Sequence, residues 1–257
     1  MKELLFGQDK LSIKGISFSG QMHGLVVLDK EDKVIHPCIL WNDGRTEKQT
    51  TYLNETIGKD RLSKYTGNIA FAGFTAPKLL WLKENELDNF KKIAKIMLPK
   101  DYIAYMISSA FCTDYSDASG TLLLDVKNKL WSKEMLNICD ISEDKLPKLC
   151  ESYCVASLLK NEIAEKFGLS NNVKVIVGAS DNAAAIVMGA VNEGDCNTSL
   201  GTSGTIFIPH DTFLVDEANA LHSFAHANGK WHLMGCILSA ASCRSWWLEK
   251  VIGTKRL

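Results

Sequence analysis

Residues 173–189 read VKVIVGASDNAAAIVMG and hold a single carboxylate, Asp181, between a β-branched run and a run of Ala, Ile and Val. That order places an acid at the carboxyl end of a buried strand, where open α/β sheets hold their ligands. With Asn182 beside it, Asp181 is suited to accept a proton from a bound hydroxyl. The same residues serve equally as a helix cap, through Ser180 or Asp181. A second stretch, Ser199-Leu200-Gly201-Thr202-Ser203-Gly204, lies between apolar runs. Its glycines and hydroxyls suit either a nest of backbone N–H groups around a phosphate or an ordinary hairpin turn. In Ser19-Gly20-Gln21-Met22-His23-Gly24, Gln21 and His23 offer donors and acceptors, and Met22 an adaptable apolar surface. The combination suits a polyhydroxylated ligand, although a lone His is also a common structural hydrogen-bonder. Trp41-Asn42-Asp43-Gly44-Arg45 adds a ring for stacking with an amide and two charges; the bland alternative is that Asp43 and Arg45 neutralise one another.

Positioning these residues calls for an alternating α/β framework. Strands are expected over 13–18 and 93–98, and in a hairpin of 25–28 with 34–38. Helical spacing covers 46–57, 77–87, 101–109, 132–138 and 162–167, whereas 112–125 reads as polar and turn-rich. After 194 the texture becomes that of a β-meander (196–200, 205–208, 220–226, 231–234), followed by a helix opening near Ser239. A domain boundary is expected over 191–194.

Hydrophobic residues make up 46% of the 257-residue chain, charged ones 23%, and the net charge is −1, so nothing favours a nucleic-acid or acidic-membrane partner. No apolar run is long enough to span a bilayer, and MKELLFGQDK is no signal peptide. The eight cysteines form no CxxC pair and no zinc-like spacing. They point to reduced thiols rather than disulfides or a structural metal, and to a cytoplasmic location.

Several stretches together resemble the FGGY family of carbohydrate kinases: SGQMHG (19–24), WNDGR (41–45), LPKDY (98–102), TDYSDASGT (113–121), GASDNAA (178–184), SLGTSG (199–204), HSFAHA (222–227), WHLM (231–234) and LSAASC (238–243). Gly73 to Asn85, with Thr75, Lys78, Trp81 and Glu84, is similar to the family's first signature. The resemblance covers essentially the whole chain. It implies a pair of actin-like (ribonuclease H-like) α/β domains closing around a sugar and ATP·Mg²⁺. The sugar-binding first domain would occupy 1–190, lacking its first strands. The truncated start of the nucleotide-binding domain would occupy 191–257. Asp181 would be the general base. Gln21, Met22, His23, Trp41, Asp43 and Asn182 would contact the sugar. Gly201, Thr202, Ser203 and Gly204 would form one of two phosphate loops. Met22-His23 and 113–121 point within the family to D-xylulose, phosphorylated at O5, with ribulose, glycerol, gluconate or a non-catalytic sugar-binding role as alternatives. The family's Asp-x-Gly-Thr loop and Gly-rich adenosine loop do not occur in these residues, so the chain reads as a fragment. Sheet edges left open by missing strands would favour a homodimer.

Overall fold

The computed structural model describes residues 1–184 and 192–253. Two parallel pairings build the centre. Strand β1 (Gly15–Ile16) runs beside Lys174–Ile176, and β2 (Ser19–Gly20) beside Ala179–Ser180. Of the strand expected over 13–18 only Gly15–Ile16 forms, and a second short strand follows at Ser19–Gly20. The interruption lies at Gly178, whose φ is +81° and whose Cα faces the Phe18 carbonyl so closely that a Cβ would sit 2.1 Å from the oxygen. Val155–Leu158 extends the first pair on its other side, antiparallel to Lys174–Ile176.

Strand β3 (Val26–Leu28) takes Lys95–Met97 as its antiparallel partner. The expected hairpin with 34–38 is reduced to isolated bridges, Leu25 to Ile39 and Leu28 to Val34. Pro37 has no N–H to give a ladder, and Asp29 accepts the N–H groups of Glu31 and Lys33, tightening the turn. The helix expected over 46–57 begins as α1 (Glu47–Thr51) and widens into a π segment (Tyr52–Gly58). It resumes as α2 (Lys59–Thr66) across Gly58, whose φ is 102°. Helix α3 (Thr75–Asn85) ends at Glu86, where φ −137° and ψ 56° leave the helical region, and α4 (Leu87–Lys92) follows. Helix α5 (Pro99–Ser108) starts on a proline, whose missing N–H costs nothing at a first turn.

The turn-rich stretch 112–125 is far more buried than its polarity suggests. Cys112–Asp114 forms a parallel pair with Lys148–Cys150, and Asp114 caps α6 (Tyr115–Ser119) by accepting from Ser116 N–H. Leu122, Leu123 and Leu124 have no exposed surface. They join the main core with Leu25, Leu53, Leu62, Leu79 and Met135. Helices α7 (Lys133–Cys139) and α8 (Asn161–Phe167) stand close to expectation, α8 ending at left-handed Gly168.

The last sheet is antiparallel throughout, but its spatial order departs from a meander. Asn197–Leu200 pairs with Gly204–His210, that strand with Trp231–Ile237, and the latter with His222–Ala225. His222–Ala225 takes the edge nearest the first region because its backbone is claimed there. Asn68 accepts from Ser223 N–H and donates to its carbonyl, while Ser119 Oγ accepts from Ala225 N–H. At the opposite edge, Asn197–Leu200 is exposed along its length. The helix expected near Ser239 is Ala241–Trp246, continued by a π segment (Trp247–Ile252). The run following Asp181 is helical over 181–184; its continuation and the start of the expected boundary fall outside the described residues. All eight cysteines are free thiols, and no helix of the described residues is long and apolar enough to cross a membrane.

Candidate active site

A cleft of about 450 Å³ lies where the first region meets the last sheet. Gln21, Met22 and His23 leave β2 to form one wall. Asp181 and Asn182 leave the parallel neighbour of β2 and stand beside them. The parallel pairing brings the two motifs together, since both strands end at the same level. Trp41 and the 71–74 loop supply a second wall, and Ser203, Thr205, His222, Met234, Cys236 and Leu238 of the sheet a third.

Asp181 is exposed at the mouth. Its Oδ1 accepts the Asn182 N–H at 2.7 Å, while the Ser180 hydroxyl is buried without a partner, so Ser180 does not cap the helical turn. Partial desolvation by the cleft walls raises the Asp181 pKa, opposed by its backbone hydrogen bonds. A carboxylate raised in this way is a stronger base at neutral pH.

His23 is the most constrained side chain of the cleft. Its φ of 71° is left-handed, an uncommon state for a residue with a Cβ. Its Nδ1 lies 2.6 Å from the Gly120 carbonyl, which can only accept, so Nδ1 carries the proton and Nε2 is left as an acceptor. The ring stacks on Phe74 at 4.7 Å. Burial lowers its pKa to about 3, so the imidazole is neutral at physiological pH. Gly120 is required here, because a Cβ would stand 2.6 Å from His23 Nδ1.

Asp43 does not join the cleft lining. It forms a two-point ion pair with Arg45, Nε to Oδ1 at 2.9 Å and Nη2 to Oδ2 at 2.8 Å, and Arg45 lies over the Trp81 ring at 4.8 Å. The neutralising loop is what the structure contains. Of the 201–204 loop only Ser203 lines the cleft. Gly201 N–H donates to the Ser203 carbonyl, so the segment is a hairpin turn rather than an open nest. The Gly201 and Thr202 carbonyls accept from Ala241 and Ala240 N–H, which ties the turn to the helix start.

Phe71, Phe74 and His222 also line the cleft without having been assigned to the site, although Phe74 and His222 fall within the 73–85 and 222–227 stretches. They pack together, Phe71 to His222 at 4.8 Å and Phe74 to His222 at 5.4 Å, and continue to Phe224, His232 and Phe207 as one aromatic stack. The two phenylalanines spaced three apart in 71–74 were the available signal.

Beneath Asp181 lies a buried ionic group. Lys100 Nζ pairs with Asp101 at 2.6 Å, Asp114 at 2.9 Å and Asp117 at 3.5 Å, all within the interior. Burial pulls the Lys100 pKa down, but the three carboxylates more than offset it and hold it well above its usual value. Burial pushes Asp117 well above the carboxylate range. Ser116 donates to Asp114 through its hydroxyl and accepts the Ser180 N–H at 3.1 Å, so the group anchors the strand that delivers Asp181.

The sequence model of the FGGY family of carbohydrate kinases, N-terminal domain, matches residues 1–188. The chain is 45% identical over 246 residues to the xylulose kinase of Lactococcus lactis, covering 95% of this chain and 48% of that protein. Among solved structures, a xylulose kinase from Brucella ovis superposes with a TM-score of 0.89 at 43% identity, covering 94% of this chain and 50% of the other. Gluconate kinase from Lactobacillus acidophilus gives 0.93 at 26% identity, covering 100% and 52%. The chain spans about half the length of the curated relatives it matches. Its α/β architecture is that of the actin-like sugar kinases, and the chain belongs to the FGGY family of carbohydrate kinases.

Proposed function

We propose that the chain is the sugar-binding part of an ATP-dependent kinase that converts D-xylulose to D-xylulose 5-phosphate. The observation carrying this reading is the meeting of Asp181 and neutral His23 in one cleft, on the ends of two parallel strands. Asp181 takes the proton of the O5 hydroxyl. His23 Nε2 accepts from a second hydroxyl, and Gln21 and Asn182 serve others. Met22 and Trp41 cover apolar faces of the sugar. Asp43, spent on Arg45, is left out of this set.

The family implies ATP and Mg²⁺. The hydroxyls of Thr202 and Ser203 fit a phosphate, and Ser203 opens on the cleft. Among the described residues no cluster of three or more His, Cys, Asp or Glu could hold a metal. When bound, ATP·Mg²⁺ supplies the phosphoryl group and the neutralisation its transfer needs. The Asp181 charge would oppose a phosphate that approached without such neutralisation. We assign residues 1–190 to the sugar-binding domain and 191–257 to the start of the nucleotide-binding domain; the family match ending at 188 supports this division. The exposed edge Asn197–Leu200 offers a route to pairing with a second copy.

Relatives named xylulose kinase favour a ketopentose, and the gluconate kinase likeness keeps a sugar acid as the alternative. Calorimetric titration of the chain with D-xylulose, D-ribulose, glycerol and gluconate, each followed by ATP·Mg²⁺, tests the reading. Preferential D-xylulose binding is expected. Preference for gluconate or glycerol rejects the assigned substrate, and no sugar binding by a chain folded by circular dichroism rejects the sugar site.

A further inference from the structure

Lys78 is completely buried in α3 and does not line the cleft. Its Nζ lies 2.8 Å from the His23 carbonyl and 2.6 Å from the Gly73 carbonyl. Thr75 Oγ1 donates to the same His23 carbonyl at 3.1 Å. No ion pair accompanies Lys78 among the described residues, and burial lowers its pKa to about 8, with the Asp43 charge opposing that shift. An ammonium buried without a counter-ion is costly, and a methionine would fill the same space without that cost. What the lysine supplies and methionine cannot is donors to two carbonyls from segments 50 residues apart. Both segments line the cleft, one carrying His23 and the other running through Phe71 and Phe74. The carbonyl of left-handed His23 is gripped by Lys78 and Thr75, while its ring is gripped by Gly120. Backbone and ring are thus held independently, and Nε2 has one direction left to point.

We propose that Lys78, assisted by Thr75, is a positioning residue that sets the orientation of His23 and its spacing from the 71–74 wall, and thereby the affinity of the cleft for a ketopentose. The affinity part rests on the sugar reading above, whereas the positioning part does not. Lys78→Met keeps the volume and removes the donors. It is expected to leave far-UV circular dichroism unchanged, to move the imidazole ¹⁵N signals of His23 and the amide signals of Gly24 and Phe74, and to weaken D-xylulose binding by at least ~10-fold, since small misplacements of a binding group are expensive. Lys78→Arg, which keeps the donors, should restore part of both. A folded Lys78→Met with the His23 and 71–74 signals and the affinity unmoved overturns the proposal. Should Lys78→Met fail to fold, Thr75→Val reads the same grip, with smaller shifts in the same signals expected and unmoved signals overturning it. Signals that move in a chain that binds no ketopentose support the positioning role and reject the sugar reading.

Discussion

Acid should unfold this protein through its buried imidazoles. Burial lowers His23 to about 3, and His222 and His226 to about 4; His232 is pushed well below its usual value by burial, with repulsion from His226 and His222 adding to it. A base with a folded pKa below its unfolded 6.5 binds more protons when unfolded. Its contribution is intact above pH 6.5 and is lost as pH falls toward the folded pKa. Between pH 8 and pH 5, each of His23, His222 and His226 then removes about 2 kcal/mol, or at most about 6 together, a large share of the 5–15 typical of a domain. Asp101, Asp117 and Asp181, all raised by burial, act in the opposite sense below their own folded pKa values. The informative quantity is therefore a difference. Urea unfolding of wild type and His226→Gln at pH 8 and pH 5 cancels the carboxylates, and the variant should lose about 2 kcal/mol less than wild type over that range. His226 packs against Phe207 at 5.3 Å and His232 at 5.6 Å, and equal losses, or an NMR titration placing His226 near 6.5, would refute the argument that this packing holds the ring neutral.

Asp181→Asn in the complete kinase should cut turnover by roughly 10²–10⁴ and leave sugar affinity within a few-fold, because shape survives and the base does not; steady-state kinetics that retain full turnover remove Asp181 from that role. His23→Ala should weaken D-xylulose binding by about tenfold, the worth of one good hydrogen bond, with His23→Asn, which tolerates a left-handed backbone, separating lost contact from strain; unchanged calorimetric affinity in both would make His23 structural. Lys100→Met removes the cation from the interior cluster of Asp101, Asp114 and Asp117 and should cost about 3–5 kcal/mol in urea unfolding; a loss under about 1 kcal/mol would show that the cluster does not depend on Lys100.

Much of the site was legible because its parts are local. Asp181 after a β-branched strand, Gln21–His23 after another, and Ser203 in a glycine-bounded turn each announce themselves by neighbours within a few residues, and the cleft contains all of them. Helices α5, α7 and α8 were legible for the same reason: Pro99, Ser132 and Gly168 mark their ends. Loop 112–125 misled, because it reads as polar and turn-rich in sequence, yet it is buried and its Asp114 is held internally by Lys100, Ser116 and Ser152.

The amino-acid sequence by itself determined which chemical groups are present and which turn each one rides on, since capping, branching and glycine act over a few residues. Only the tertiary structure decided which of those groups meet. Asp43 and Trp41 are two residues apart, yet one is spent on Arg45 and the other faces the cleft. His222 comes from a strand whose place in the sheet was set by contacts with Asn68 and Ser119. Lys78 stands in the 73–85 signature without a role until packing buries it between two carbonyls. Pairing of this kind depends on distances between segments far apart in the chain, and those exist only once the core has formed.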